Sequence, residues 1–160
     1  MLLTLDRGAT RHWLAETEAA ARQLGIDVHV MDVRGERDLA PAFAAAADKG
    51  VNGLIGLRNP TIVTHARQVG ALASRYRMPG IFDAREFVEA GALMSYGPNL
   101  DQIFPRMAAY ADRILKGEKP GDIPIEQPTT FELVLNQRTA RAIGIALAPP
   151  LLASADEVIE

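Results

Sequence analysis

Short apolar runs alternate with amphipathic segments along almost the whole chain, and that rhythm leaves few folds open. Residues 1–5, 26–33, 51–57, 78–82, 91–96 and 131–135 read as six strands, each bounded by turn-prone residues. Between them the apolar positions fall three and four apart, which predicts helices over 10–24, 38–49, 61–77 and 100–115. Shorter helices are expected at 83–90 and 137–143. The strongest stripe is Leu100, Ile103, Phe104, Met107, Ala108, Ala111, Ile114 and Leu115. Trp13 falls on the apolar side of the first helix and is expected in a core or an interface. Pro41 fits its helix by standing in the first turn. Residues 117–128 carry three prolines and two glycines and read as an extended crossing loop, and 144–160 as a tail.

Strand and helix units of this length imply right-handed crossovers. The expected fold is α/β, a parallel sheet with helices on both faces. Residues 1–98 read as a Rossmann-like lobe, and 99–160 as a helix, crossing loop, strand and tail that complete or bridge it. The length of 160 residues suits one such unit. In this class ligands sit beyond the carboxyl ends of the strands, where the strand order switches direction. The loops 6–10, 34–38, 58–61, 83–86 and 97–100 are therefore the places to look for a site.

Several residues in those loops carry usable chemistry. Asp6 and Thr10 flank the first helix start, where free N–H groups and a hydroxyl suit a carboxylate or phosphate, or serve only as a turn and cap. Arg58 can grip a carboxylate bidentately, and Asn59 or Thr61 can bond a polar group; a plain helix start with a solvated Arg is the alternative. Asp83, Arg85 and Glu86 form an acid–base–acid run, either general acid–base machinery or a solvated helix start. Tyr96 can stack on a ligand or simply pack, and Asn99 stands in the sharp turn after it.

Other chemistries find no support in the residues. There is no cysteine, so thiolate metal sites, thiol nucleophiles and disulfides are excluded. His12, His29 and His65 lie in three different elements, and no G-x-S-x-G elbow is present. No metal, no cofactor and no catalytic residue is expected. A net charge of −3 gives no global field for nucleic acid. No apolar run approaches a membrane span, and the first residues lack a signal-peptide pattern, so the chain as written is expected to be cytoplasmic.

The second half is more specific than its chemistry. The run Arg85-Glu86-Phe87-Val88-Glu89-Ala90-Gly91-Ala92-Leu93-Met94-Ser95-Tyr96-Gly97-Pro98-Asn99 closely resembles a signature of ABC-transporter solute-binding proteins, the tryptophan/tyrosine transport system substrate-binding type. The resemblance continues through Ile114-Leu115-Lys116-Gly117, the 122–136 segment and the ending from Pro149 to Glu160. Residues 1–82 resemble the same family's second lobe in pattern more than in motif.

The resemblance implies a two-lobed, type I periplasmic binding protein that closes on a small, amino-acid-like solute and hands it to an ABC permease. Family members are about twice this length and carry a signal peptide and a first lobe. A truncated gene, a misplaced start and a genuine single-lobe relative remain open, and a homodimer is expected to cover surface meant for the first lobe. Two rival readings stand beside this one. The first is a cytosolic sensor or interaction domain on the same fold, and the second an enzyme using Asp83 and Glu86 as acid and base.

Overall fold

The computed structural model of the chain describes residues 2–4, 11–57, 60–99, 101 and 103–160. The amino-terminal part alternates β1 (Leu2–Thr4), α1 (Arg11–Gln23), β2 (Val30–Asp32), α2 (Glu36–Asp48) and β3 (Leu54–Gly56). It continues with α3 (Pro60–Thr64), α4 (Ala66–Arg75), β4 (Gly80–Phe82), α5 (Arg85–Glu89) and β5 (Met94–Pro98). The carboxyl-terminal part comprises α6 (Ile103–Leu115), β6 (Phe131–Asn136), α7 (Gln137–Ile143), α8 (Pro149–Ala153) and β7 (Glu157–Ile159).

All seven strands join one sheet in the order β2-β1-β3-β4-β5-β6-β7. Every pairing is parallel except β5 with β6, which is antiparallel. From β1 the chain steps one way to β2, then the other way through β3, β4 and β5. Right-handed crossovers therefore put α1 on one face and α2, α4 and α5 on the other.

The second of these faces holds the main core. Leu39 and Phe43 of α2, Val69 of α4, Phe87 of α5 and Phe82 of β4 are all buried there. Phe82 and Phe87 stack with ring centroids 4.5 Å apart. Glycines set the close approaches: a Cβ at Gly70 would stand 2.7 Å from the Ala90 carbonyl oxygen, so α4 lies directly on the turn before β5. Asn136 fixes the next helix, its side chain accepting from the Thr139 N–H at 2.8 Å and donating to the Val88 carbonyl at 3.1 Å. Gly144, at φ +79°, ends that helix in the left-handed region that favours glycine.

Four expectations from the sequence are corrected by this arrangement. The tail is not structureless, because α8 and β7 form within it and β7 lies parallel to β6. The 61–77 helix is broken at His65 into α3 and α4. The helix holding Pro41 begins at Glu36, so the proline lies past the first turn and leaves the Arg37 carbonyl without its usual donor. Trp13 is half exposed, which corrects the core half of its expectation and keeps the interface half, and among the described side chains of α1 only Ala21 is buried.

The largest surprise is α6. Its stripe is the strongest in the sequence, yet none of its described residues is buried. It leaves the lobe after β5, and the chain returns alongside it to β6. Tyr110 Oη donates to the Pro124 carbonyl at 3.2 Å, Arg106 pairs with Glu126, and Arg113 Nε bonds Glu118 at 2.7 Å. Helix and return segment thus make an arm whose contacts are largely its own. Among the described residues no helix is long and apolar enough to cross a membrane.

Candidate functional site

The carboxyl ends of β4 and β5 come together because β5 follows α5 after a short turn and pairs in parallel with β4. The approach is so close that a Cβ on Gly97 would run into the Asp83 carbonyl oxygen. The antiparallel partner β6 sets Glu132 opposite Gly97 and Phe131 opposite Pro98. Helix α5, the end of β5 with the turn after it, and β6 enclose a cleft of about 250 Å³ whose polar lining is Arg85, Glu86, Glu89, Asn99, Asp101 and Glu132. One guanidinium faces four carboxylates, so the cleft is net acidic.

Arg85 organises its floor. Its guanidinium bonds Glu89 at 3.0 Å and Glu157 of β7 at 2.7 Å, and approaches Glu132 at 3.5 Å. Those carboxylates push its pKa upward, first through the hydrogen bonds from Glu89 and Glu157, so its charge is permanent. Asn99 Nδ2 donates to Glu132 Oε2 at 2.8 Å, and its Oδ1 accepts from the Asp101 N–H at 3.0 Å. The positive fork is therefore already shared among three chain carboxylates, while Glu86 and Asp101 remain exposed around it.

Of the residues singled out in the sequence, Arg85, Glu86 and Asn99 share this cleft. Asp83 is partly buried just behind it. Tyr96 points from the other face of β5, where its half-exposed ring stacks on Phe131 at 5.7 Å. Thr61 is partly buried on α3 and does not line the cleft. Asp6, Thr10, Arg58 and Asn59 lie outside the described residues. Glu132 and Asp101 had no signal in the sequence, and only the β5–β6 register brings Glu132 to the loop after β4, whereas Glu89 stands one helical turn from Arg85. Among the described residues no cluster of His, Asp and Glu is arranged to hold a metal ion.

A second hollow of about 240 Å³ runs between α6 and its return segment. It is walled by Ile103, Met107, Tyr110 and Pro128, with the Arg106–Glu126 pair at its edge.

Comparison with known proteins accounts for this architecture. A conserved domain protein from Vibrio cholerae has 25% identity and a TM-score of 0.88, over 98% of this chain and 53% of its own. An ABC domain from Streptococcus pneumoniae crystallised with L-Trp has 23% identity and a TM-score of 0.88, over 99% and 54%. A ligand-free, open substrate-binding protein with adhesive properties from Clostridium difficile has 17% identity and a TM-score of 0.72, over 99% and 53%. The chain thus spans about half the length of the solved structures it matches. No curated protein matches it. The family model of ABC transporter substrate binding proteins, a group of binding proteins rather than enzymes, matches residues 6–159. The chain belongs to that family of ABC transporter substrate-binding proteins.

Proposed function

We propose that this chain supplies one lobe of the substrate-binding component of an ABC importer, and that its solute is a small amino-acid-like molecule held at the carboxyl ends of β4 and β5. The observation that carries the reading is the acidic cleft, which opens beyond the carboxyl ends of parallel strands, the side of the sheet on which this fold class binds ligands, and is lined by Arg85, Glu86 and Asn99. Its charge balance favours an ammonium group near Glu86, Asp101 and Glu132. The L-Trp bound by the Streptococcus pneumoniae structure supports an amino acid as the solute class. Asp6, Thr10, Arg58, Asn59, Thr61 and Asp83 are proposed as further contacts to the solute, whereas Tyr96 lies on the face of β5 away from the cleft. The solute would pass to a membrane permease, which places the protein in the periplasm.

Equilibrium dialysis of the 160-residue chain against labelled L-tryptophan, with other amino acids as competitors, tests this reading. Because a two-lobed clamp draws contacts from both sides, one lobe is expected to bind in the millimolar range. Saturable binding weakened by Glu86→Gln supports the proposal; no saturable binding of any amino acid overturns it.

The partner proposed for the α6 face is a second copy of this chain. Phe104, Met107, Ile114 and Leu115 are between 42% and 87% exposed. With Ala108 and Ala111 between them they offer on the order of 500 Å² per copy, near the lower end of specific dimer interfaces. The flanking charges are satisfied within each chain, by Arg106–Glu126, Arg113–Glu118 and Lys116–Asp112, so like faces meet without net repulsion. Light scattering at micromolar concentration is expected to give a dimer, and a Met107→Glu variant a monomer. A wild-type monomer would contradict the proposal.

A further inference from the structure

The arm has no buried residue in its helix, so the contacts at its root are what tie it to the lobe. Outgoing and returning chains meet where the Asn99 N–H donates to the Thr130 carbonyl at 3.3 Å. Two residues along, the side chain of Glu132 is only 14% exposed, and a single oxygen, Oε2, faces two donors: Asn99 Nδ2 at 2.8 Å and Arg85 Nη1 at 3.5 Å. Asn99 is itself a bridge, since its Oδ1 receives the Asp101 N–H and so shapes the first step toward α6. Arg85 is anchored on its far side to Glu157 in the last strand.

We propose that Glu132 is a positioning residue, fixing the root of the α6 arm by sharing one carboxylate oxygen between Arg85 of the lobe and Asn99 of the neck. The charge of Glu132 faces the guanidinium at 3.5 Å beside its closer bonds to Glu89 and Glu157, since the planar fork can serve several carboxylates at once. The same oxygen orients the Asn99 amide, and the amide oxygen then orders the turn into the arm. Removing any member loosens the ones downstream. The chain of contacts also joins the carboxyl-terminal strand to the neck, because Glu157 helps to hold Arg85 in place. A charged group entering the cleft and drawing Arg85 or Glu132 to itself would unlatch Asn99. That last coupling rests on the solute-binding reading, whereas the latch itself does not.

The test needs no solute, so its failure leaves the binding proposal untouched. Amide exchange is followed in the 160-residue chain and in Glu132→Ala, Glu132→Gln, Asn99→Ala and the Glu132→Ala/Asn99→Ala double variant. Loss of a charge-assisted bond of about 1.4 kcal/mol corresponds to roughly tenfold faster exchange in the neck. Glu132→Ala should show that acceleration at Asn99, Asp101 and 129–131, with the β4 amides unchanged. Asn99→Ala should match it at 129–131 and at the Asp101 amide, and the double variant should add nothing further. Glu132→Gln keeps an acceptor for Asn99 but no charge for Arg85, so it should fall between; being isosteric, it decides the matter if Glu132→Ala does not fold. Unchanged neck exchange in Glu132→Gln, effects that multiply in the double variant, or equal acceleration of the β4 amides would each overturn the proposal.

Discussion

Replacing Gly97 by alanine is the smallest change that sets the fold against the site. A Cβ there collides with the carbonyl oxygen of Asp83, and the carbonyl carbon of the same residue lies 2.7 Å away. The obstacle is backbone, so no side chain can rotate aside. Either β5 withdraws from β4, at the cost of parallel pairing at Ile81–Met94 and Phe82–Ser95, or the Asp83–Arg85 turn moves outward. Overpacking of this kind costs about 1–3 kcal/mol, and a backbone obstacle belongs at the upper end, about 2–3 kcal/mol. In a domain of this size that lowers Tm by roughly 4–12 °C. Gly121→Ala is the matched control, because a Cβ there meets nothing within 4 Å and the backbone is not in the left-handed region. It should change stability by less than about 0.5 kcal/mol. Urea titrations of both variants decide the matter. A Gly97→Ala protein as stable as Gly121→Ala would refute the reasoning that backbone contact at this point sets the cleft wall.

Other expectations follow from single side chains. Ser95 is 1% exposed and its hydroxyl has no hydrogen-bond partner among the described residues, so Ser95→Ala should stabilise the chain by about 1 kcal/mol in a urea titration; a loss of that size would contradict the account. Asn136→Ala removes both the α7 cap and the buried bond to Val88 and should cost about 2–3 kcal/mol, with Asn136→Asp recovering the cap but not the second bond. The Arg113 hydrogen bond holds the Glu118 carboxyl below its ordinary value of 4.5. A depressed carboxyl contributes stability above its unfolded pKa and loses it as pH falls through the folded one. Protection of the arm should therefore decline below that ordinary value, and Glu118→Gln should remove this part of the pH dependence, read by amide exchange at 113–118.

How much of this was legible beforehand depends on the range over which each feature is encoded. The strand–helix rhythm is local and periodic, so the largely parallel sheet followed from it. The tail failed for the opposite reason. Strand β7 is three residues long and exists because Glu157–Ile159 can pair with Val134–Asn136, a match that no local pattern announces. The α6 stripe was read correctly as amphipathic, but an apolar face does not say what it meets, and here no residue of the helix is buried. Arg85 shows the same limit within the site. Its near neighbour Glu89 was visible at helical spacing, whereas Glu157 lies 72 positions away and Glu132 arrives only through antiparallel register with Gly97. Trp13 is half exposed within the single chain because an apolar helix position is buried only where the fold supplies a surface to bury it against.

The most direct test of the solute-binding claim is a titration of the isotope-labelled 160-residue chain with L-tryptophan, followed by amide chemical shifts. The account predicts saturable shifts gathered at Arg85, Glu86, Asn99, Asp101 and Glu132, with the amides of Met107 and Tyr110 on the far wall of the α6 hollow silent. Shifts confined to Met107, Tyr110 and Pro128's neighbours, or no saturable shift at all, would contradict it.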